Sequence, residues 1–206
     1  NPNLLNFKYG YIESYGGGPN ASGFENAKAL SDAIENTNGE KTVFIGGTGK
    51  LYNFDALEVT NSSINIECAE GVKIKTTKNS ADVLWLFNTQ SATIRGGFTV
   101  DCDNYNAAGI RAFNDQSSGG VNLFEDFTVK NALQQTALVP TVQANGLTVW
   151  GAFEKSSFNR VRVINVKSDG PATRINGAIA RGIVCRYHNI GETVLDWTLQ
   201  VSKKNY

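Results

Sequence analysis

Apolar residues recur at i and i+2 in four short runs along the chain: Phe98-Thr99-Val100, Phe127-Thr128-Val129, Val161-Arg162-Val163 and Trp197-Thr198-Leu199. Their starts lie 29, 34 and 36 residues apart, and three carry another apolar residue three positions earlier: Phe124, Phe158 and Val194. A second family lies between them: Gly109-Ile110-Arg111-Ala112-Phe113, Gly146-Leu147-Thr148-Val149-Trp150 and Gly182-Ile183-Val184-Cys185-Arg186. Alternation with period 2 predicts strands. Two strands returning every thirty-odd residues predict a β-solenoid, in which equivalent residues stack as ladders. The inward ladders are then Phe98/Phe127/Val161/Trp197, Val100/Val129/Val163/Leu199, Ile110/Leu147/Ile183 and Ala112/Val149/Cys185.

Upstream the pattern differs. Residues 1–23 read as loop, with Gly16-Gly17-Gly18-Pro19 as a turn. From about Phe24 to Asn36, the positions Phe24, Ala27, Leu30, Ala33 and Ile34 share one helical face, and Asn38-Gly39 supplies a stop. Short strands follow at Thr42–Ile45, Leu51–Phe54, Ile64–Cys68, Val72–Lys75 and Val83–Phe87. A solenoid end exposes unpaired backbone and apolar core, and an amphipathic helix is a simple cap for it. The predicted organisation is an entry segment with capping helix over 1–63 and stacked strands over 64–206. With no equivalent cap at the other end, the chain reads as the N-terminal piece of a longer stack, or one covered there by another chain.

Composition narrows the partners. The 206 residues carry 19 basic and 19 acidic side chains with no basic block, which argues against nucleic acid as the main partner. No apolar stretch has the length of a membrane span, and no signal peptide is visible. Cys68, Cys102 and Cys185 are widely separated, and His188 is the one histidine. They read as small buried thiols rather than a metal site or disulfide framework. No metal and no cofactor are expected. Asn20-Ala21-Ser22 and Asn61-Ser62-Ser63 fit the glycosylation triplet, a pattern too common to place the protein in a secretory pathway.

Ser14-Tyr15-Gly16-Gly17-Gly18, the helix with Ala27, Ala29, Leu30, Ala33 and Ile34, and the run Val43-Phe44-Ile45-Gly46 through Gly49 to Tyr52 together carry a resemblance. They resemble the entry to a right-handed parallel β-helix of the pectate-lyase-like superfamily, in the branch that includes phage tailspikes and polysaccharide depolymerases. Ser14 stands where that family usually has aspartate, Phe24-Glu25-Asn26 replaces an Asp-Asp-Thr type stretch, and Gly46 replaces the common proline. The resemblance implies an all-β fold: a single-stranded right-handed parallel β-helix (β-solenoid) with an N-terminal capping α-helix. It also implies a homotrimer in a phage virion tail, acting on bacterial capsule, O-antigen or exopolysaccharide.

The outward columns hold the candidate chemistry. Phe113, Trp150 and Arg186 form one column and Arg111, Thr148 and Val184 its neighbour, with Phe87 expected one coil below Phe113. Rings cover the apolar faces of pyranoses, and Arg donates forked hydrogen bonds to hydroxyls or acidic sugars. Arg111, Phe113, Trp150 and Arg186 are therefore the expected substrate-binding residues; the same face suits a subunit contact equally. Beyond these strands lie Asp115 and Glu154, on neighbouring coils about 4.8 Å apart. Such carboxylates serve glycoside hydrolysis as acid and base or nucleophile. Asp101 and Asp103, sharing a face at i and i+2, and Asp126 are further candidates. All of these also read as surface charge, and Asp101 with Asp103 as part of a calcium site. Asn131 over Asn165 reads as a structural amide ladder at a turn.

Other motifs fail. Gly46-Gly47-Thr48-Gly49-Lys50 lacks phosphate-loop spacing, no nucleophile elbow occurs, and a lone histidine makes a Ser-His-Asp site unattractive. The clustered aspartates and arginines of plant-wall pectate lyases are not matched, which disfavours elimination by that route. A lyase with a Tyr or Lys base stays open. Three functions follow: a tailspike-like polysaccharide depolymerase of glycosidase type, a non-catalytic glycan-binding fibre, and a secreted polysaccharide lyase or hydrolase.

Overall fold

The computed structural model describes residues 10–37, 41–77, 82–115, 119–134, 144–168, 180–187 and 192–194. A short 3-10 helix, Ile12–Tyr15, precedes α1 (Gly23–Thr37). The strands are β1 (Val43–Ile45), β2 (Leu51–Phe54), β3 (Leu57–Thr60), β4 (Ser63–Cys68), β5 (Lys73–Thr76), β6 (Val83–Asn88), β7 (Ser91–Asp101) and β8 (Ala108–Asn114). They continue with β9 (Val121–Lys130), β10 (Leu133–Gln134), β11 (Ala144–Gly151), β12 (Lys155–Asn159), β13 (Arg162–Ile164), β14 (Lys167–Ser168), β15 (Ala180–Tyr187) and β16 (Glu192–Val194).

Among the described residues these strands form a nine-stranded sheet ordered β1-β4-β7-β9-β12-β16, a five-stranded sheet ordered β15-β11-β8-β6-β3, and the pair β10-β14. The nine-stranded sheet branches: β2 pairs with β5, β5 also with β7, and β13 with β9. The expected all-β, single right-handed β-helix is corrected here. The strands divide between two mostly parallel sheets beside a 15-residue helix, an α/β-like layout. The physical reason lies in what a repeat encodes. Recurring apolar pairs specify which residues lie side by side in a parallel ladder, and they do so whatever path connects one sheet to the next.

The predicted ladders are found within the described residues. Phe98 pairs with Phe127 in register and their rings stack with centroids 5.0 Å apart. Val129 pairs with Val163, and Leu147 with both Ile110 and Ile183. Trp197 and Leu199 lie outside the described residues. The apolar residue at i−3 has a backbone cause. Phe124 and Phe127 are both buried although a continuous strand would send them to opposite faces. Asp126 between them adopts φ 57, and Arg160 between Phe158 and Val161 adopts φ 50. One left-handed residue bends the chain and returns both rings to the core. Gly96 fills this corner in the preceding repeat at φ 114, where a Cβ would lie 2.0 Å from the Cys68 carbonyl oxygen.

Helix α1 covers one end of this core. Ser22 and Glu25 form a reciprocal capping box: the Glu25 N–H donates to Ser22 Oγ at 3.2 Å and the Ser22 N–H to Glu25 Oε2 at 2.7 Å. The Ser22 N–H, with the Ser22 hydroxyl, holds the Glu25 carboxyl below its ordinary value. Ala27, Ala29, Leu30, Ala33 and Ile34 are buried as expected, but Phe24 is not: it is 67% exposed. The first turn buries Gly23 and Asn26 instead, and Asn26 makes polar ties to Gly18 and to the Asn53 carbonyl. The stretches 114–120, 131–145 and 167–181 carry strand residues at Asn114, in β10 and β14, and at the starts of β11 and β15. Residues 116–118, 135–143 and 169–179 lie outside the described part.

Cys68 and Cys102 are buried free thiols. Burial, with nearby carboxylates, raises Cys68 well above its ordinary value, and burial with Asp101 nearby pushes Cys102 up to about 12. Both therefore stay protonated and act as small apolar side chains. No helix among the described residues is long and apolar enough to cross a membrane.

Candidate functional site

The outward face of the five-stranded sheet carries two register columns. One runs Glu58, Leu86, Arg111, Thr148 and the other Thr60, Asn88, Phe113, Trp150, one residue per strand from β3 through β6 and β8 to β11. Successive strands lie about 4.8 Å apart, so four residues span about 14 Å. A groove of about 820 Å³ runs over these columns. Its lining includes Glu58, Asn88, Arg111, Phe113, Asp115 and Trp150.

Phe113 and Trp150 are half-buried and meet edge to face, with centroids 5.8 Å apart and ring planes at 75°. Each ring stabilises the other's orientation while part of its surface stays open. Asn88 Nδ2 donates to Glu58 Oε1 at 2.8 Å and also reaches Thr60 Oγ1 at 3.4 Å. At the far end, the Ala152 N–H donates to the Asn114 carbonyl, and Asn114 Nδ2 to the Ala152 carbonyl at 2.8 Å. Burial lowers the Arg111 guanidinium from its ordinary value, and only partly against this Asp82 stabilises its charge.

Three of the four predicted binding residues thus line one groove: Arg111, Phe113 and Trp150. Arg186 pairs in register with Trp150, and its backbone continues the column onto β15. Phe87 is corrected. It pairs with Ala112 and is fully buried, so Asn88 is the residue beside Phe113. The nearly unbroken apolar run of β6 hides its phase: Val83, Leu84, Trp85 and Phe87 are buried, and Leu86 alone of the apolar residues faces the groove. Glu58, Thr60 and Asn88 were not foreseen. The Leu57-Glu58-Val59-Thr60 alternation is the signal that would have found the first two.

The predicted carboxylates scatter. Asp115 is exposed and lines the groove. Glu154 is exposed outside the groove lining; its N–H donates to the Gly120 carbonyl, while Ala152 takes the register position next to Asp115. Asp101 pairs with Lys130 at 2.9 Å and accepts from Asn131 Nδ2 at 2.7 Å and the Asp103 N–H at 3.0 Å. Burial raises the Asp101 carboxyl, but these donors outweigh it and leave it below its ordinary value. Asp103 pairs with Lys75 at 3.1 Å. Asn165 donates in turn to Asn131, so the expected amide ladder is present and begins on Asp101.

Asp126 lines a second groove of about 790 Å³ on the bend of the nine-stranded sheet, with Glu70, Thr99, Thr128, Arg160 and Arg162. There it is held by Arg160. Among the described residues no group of three or more His, Cys, Asp and Glu side chains is arranged to hold a metal ion. Comparison with protein-family models, curated proteins and solved structures found no match to this chain.

Proposed function

We propose that this protein binds a polysaccharide across the strands of the five-stranded sheet. The observation that carries this reading is the edge-to-face pair Phe113–Trp150, half-open in a groove that also carries hydrogen-bonding groups. Sugars present apolar ring faces and hydroxyl edges. A site that offers aromatic surface beside Asn88, Arg111, Glu58 and Asp115 matches both at once. A column of one residue per strand suits a chain molecule lying across the strands. The entry-segment resemblance to tailspikes and depolymerases supports bacterial capsule, O-antigen or exopolysaccharide as the glycan.

The carboxylates favour binding over cleavage. Glu58 and Asp115 are the two in the described groove lining. They stand two strands and four residue positions apart, about 10 Å by about 13 Å at the backbone. Glycosidase pairs work at about 5 to 9.5 Å.

The test is titration against a panel of bacterial surface polysaccharides, with product analysis by mass spectrometry. Saturable binding without products is expected, and Trp150→Ala is expected to weaken it about tenfold. Wild-type affinity in Trp150→Ala would remove the aromatic platform. Oligosaccharide products would replace the binding reading with a depolymerase.

A further inference from the structure

We propose that Arg111 makes this groove selective for glycans bearing an anionic substituent, a carboxylate or a sulfate ester. The inference rests on the glycan-binding reading and deepens it. Arg111 Nε is buried without a hydrogen-bond partner among the described residues. Its register neighbour Thr148, 3% exposed and outside the groove lining, has an Oγ1 in the same condition. What both lack is an acceptor: guanidinium only donates, and a hydroxyl has a proton to give. A buried donor without an acceptor is costly, and the cost disappears when one arrives.

The surroundings leave the charge available. Asp82 stabilises the Arg111 cation through its field, yet the two form no ion pair. Glu58 is two strands away in register, about 10 Å at the backbone, and is engaged by Asn88. Asp115 lies four residues further along, about 13 Å. Both are at or beyond the screening length of about 8–10 Å at ordinary ionic strength. An oxyanion entering beside Phe113 meets a guanidinium that can turn to present Nε–H and Nη–H as a fork. That geometry fits carboxylate and sulfate oxygens and not a single hydroxyl.

The experiment compares paired probes: hyaluronan against its carboxyl-reduced form, and dextran sulfate against dextran, together with acidic members of the bacterial panel and their carboxyl-reduced forms. Affinities are measured for wild type, Arg111→Gln, Arg111→Lys and Trp150→Ala at low and high salt. The wild type is expected to prefer the charged member of a pair by about tenfold or more. Arg111→Gln should erase that preference, bringing affinity for the charged member down to that for its neutral partner, and Arg111→Lys should keep only part of it. Loss of the preference in the hyaluronan pair alone assigns it to carboxylate, and in the dextran pair alone to sulfate. An unchanged charged-to-neutral ratio in Arg111→Gln, with the protein folded by circular dichroism, overturns the inference and leaves the binding reading standing. Absence of binding across all charged and neutral probes overturns both.

Discussion

Asp126 and Arg160 lie 34 residues apart yet occupy the same corner of successive repeats, and Arg160 Nη2 donates to Asp126 Oδ2 at 2.6 Å. Arg160 Nε donates to the other carboxylate oxygen, completing a fork. The fork holds the Asp126 carboxyl below its ordinary value and raises the Arg160 guanidinium. A carboxyl depressed in the folded state contributes stability that is present above its unfolded value, about 3.9, and is lost as pH falls through the lower folded one. Asp126→Asn should therefore flatten the stability profile below about pH 4. Urea midpoints measured across that range decide it; an acid limb identical to wild type would show that the fork contributes nothing there.

The same corner predicts a backbone effect. A left-handed conformation costs an L-residue about 1–2 kcal/mol, and glycine avoids it. Asp126→Gly should accordingly be more stable than Asp126→Ala by about 1 kcal/mol, since both lose the fork and only alanine keeps the strain. Gly96→Ala should lose more, about 3 kcal/mol or the fold itself, because its Cβ meets backbone rather than a movable side chain. Equal midpoints for the two Asp126 variants would contradict the strain argument.

Asn122 is fully buried, accepting from the Ala92 N–H at 2.8 Å and donating to Ser156 Oγ at 2.9 Å. It bridges the three adjacent strands β7, β9 and β12. Asn122→Ala leaves two buried polar partners unmet and should cost about 2–4 kcal/mol; Ser156→Ala leaves one and should cost about 1–3. The double variant should lose less than the sum, because the shared bond is removed once. Strict additivity in denaturant titrations would mean that the two side chains do not interact in solution.

Asn26 ties the start of α1 to its surroundings: Oδ1 accepts from the Gly18 N–H at 2.7 Å, and Nδ2 donates to the Gly18 and Asn53 carbonyls at 3.1 and 2.8 Å. Asn26→Leu fills the space without these bonds. It should destabilise by about 2–3 kcal/mol, with loss of amide protection concentrated at Gly18 and the first helical turn. Protection unchanged at Gly18 would place the anchoring elsewhere.

Much of the ladder pairing was legible because side-chain period and repeat spacing together fix register. Phe98 on Phe127 and Phe113 on Trp150 follow from nothing more. The two strand families fall into the two sheets, β7, β9 and β13 in the nine-stranded one and β8, β11 and β15 in the five-stranded one; the path that joins the sheets was not legible, since a ladder looks the same on any connecting path. Phe24 shows the limit of a helical wheel: phase puts it on the apolar face, but the first turn buries Gly23 and Asn26 and leaves Phe24 exposed. Phe87 shows the limit of alternation, because an apolar residue facing out, here Leu86, erases the phase. Of the pair Asp115 and Glu154, only Asp115 is in the groove lining. Asn122 is invisible in sequence, where a buried asparagine and a surface one look alike.

Each column of the groove floor takes one residue from each strand, so its length is counted in repeats. Gain or loss of a whole repeat would lengthen or shorten it by one strand spacing, about 4.8 Å, without disturbing the residues already in place. Ligand size and ligand chemistry are therefore separable properties in this molecule: the first can change by duplication, the second by single substitutions along a column.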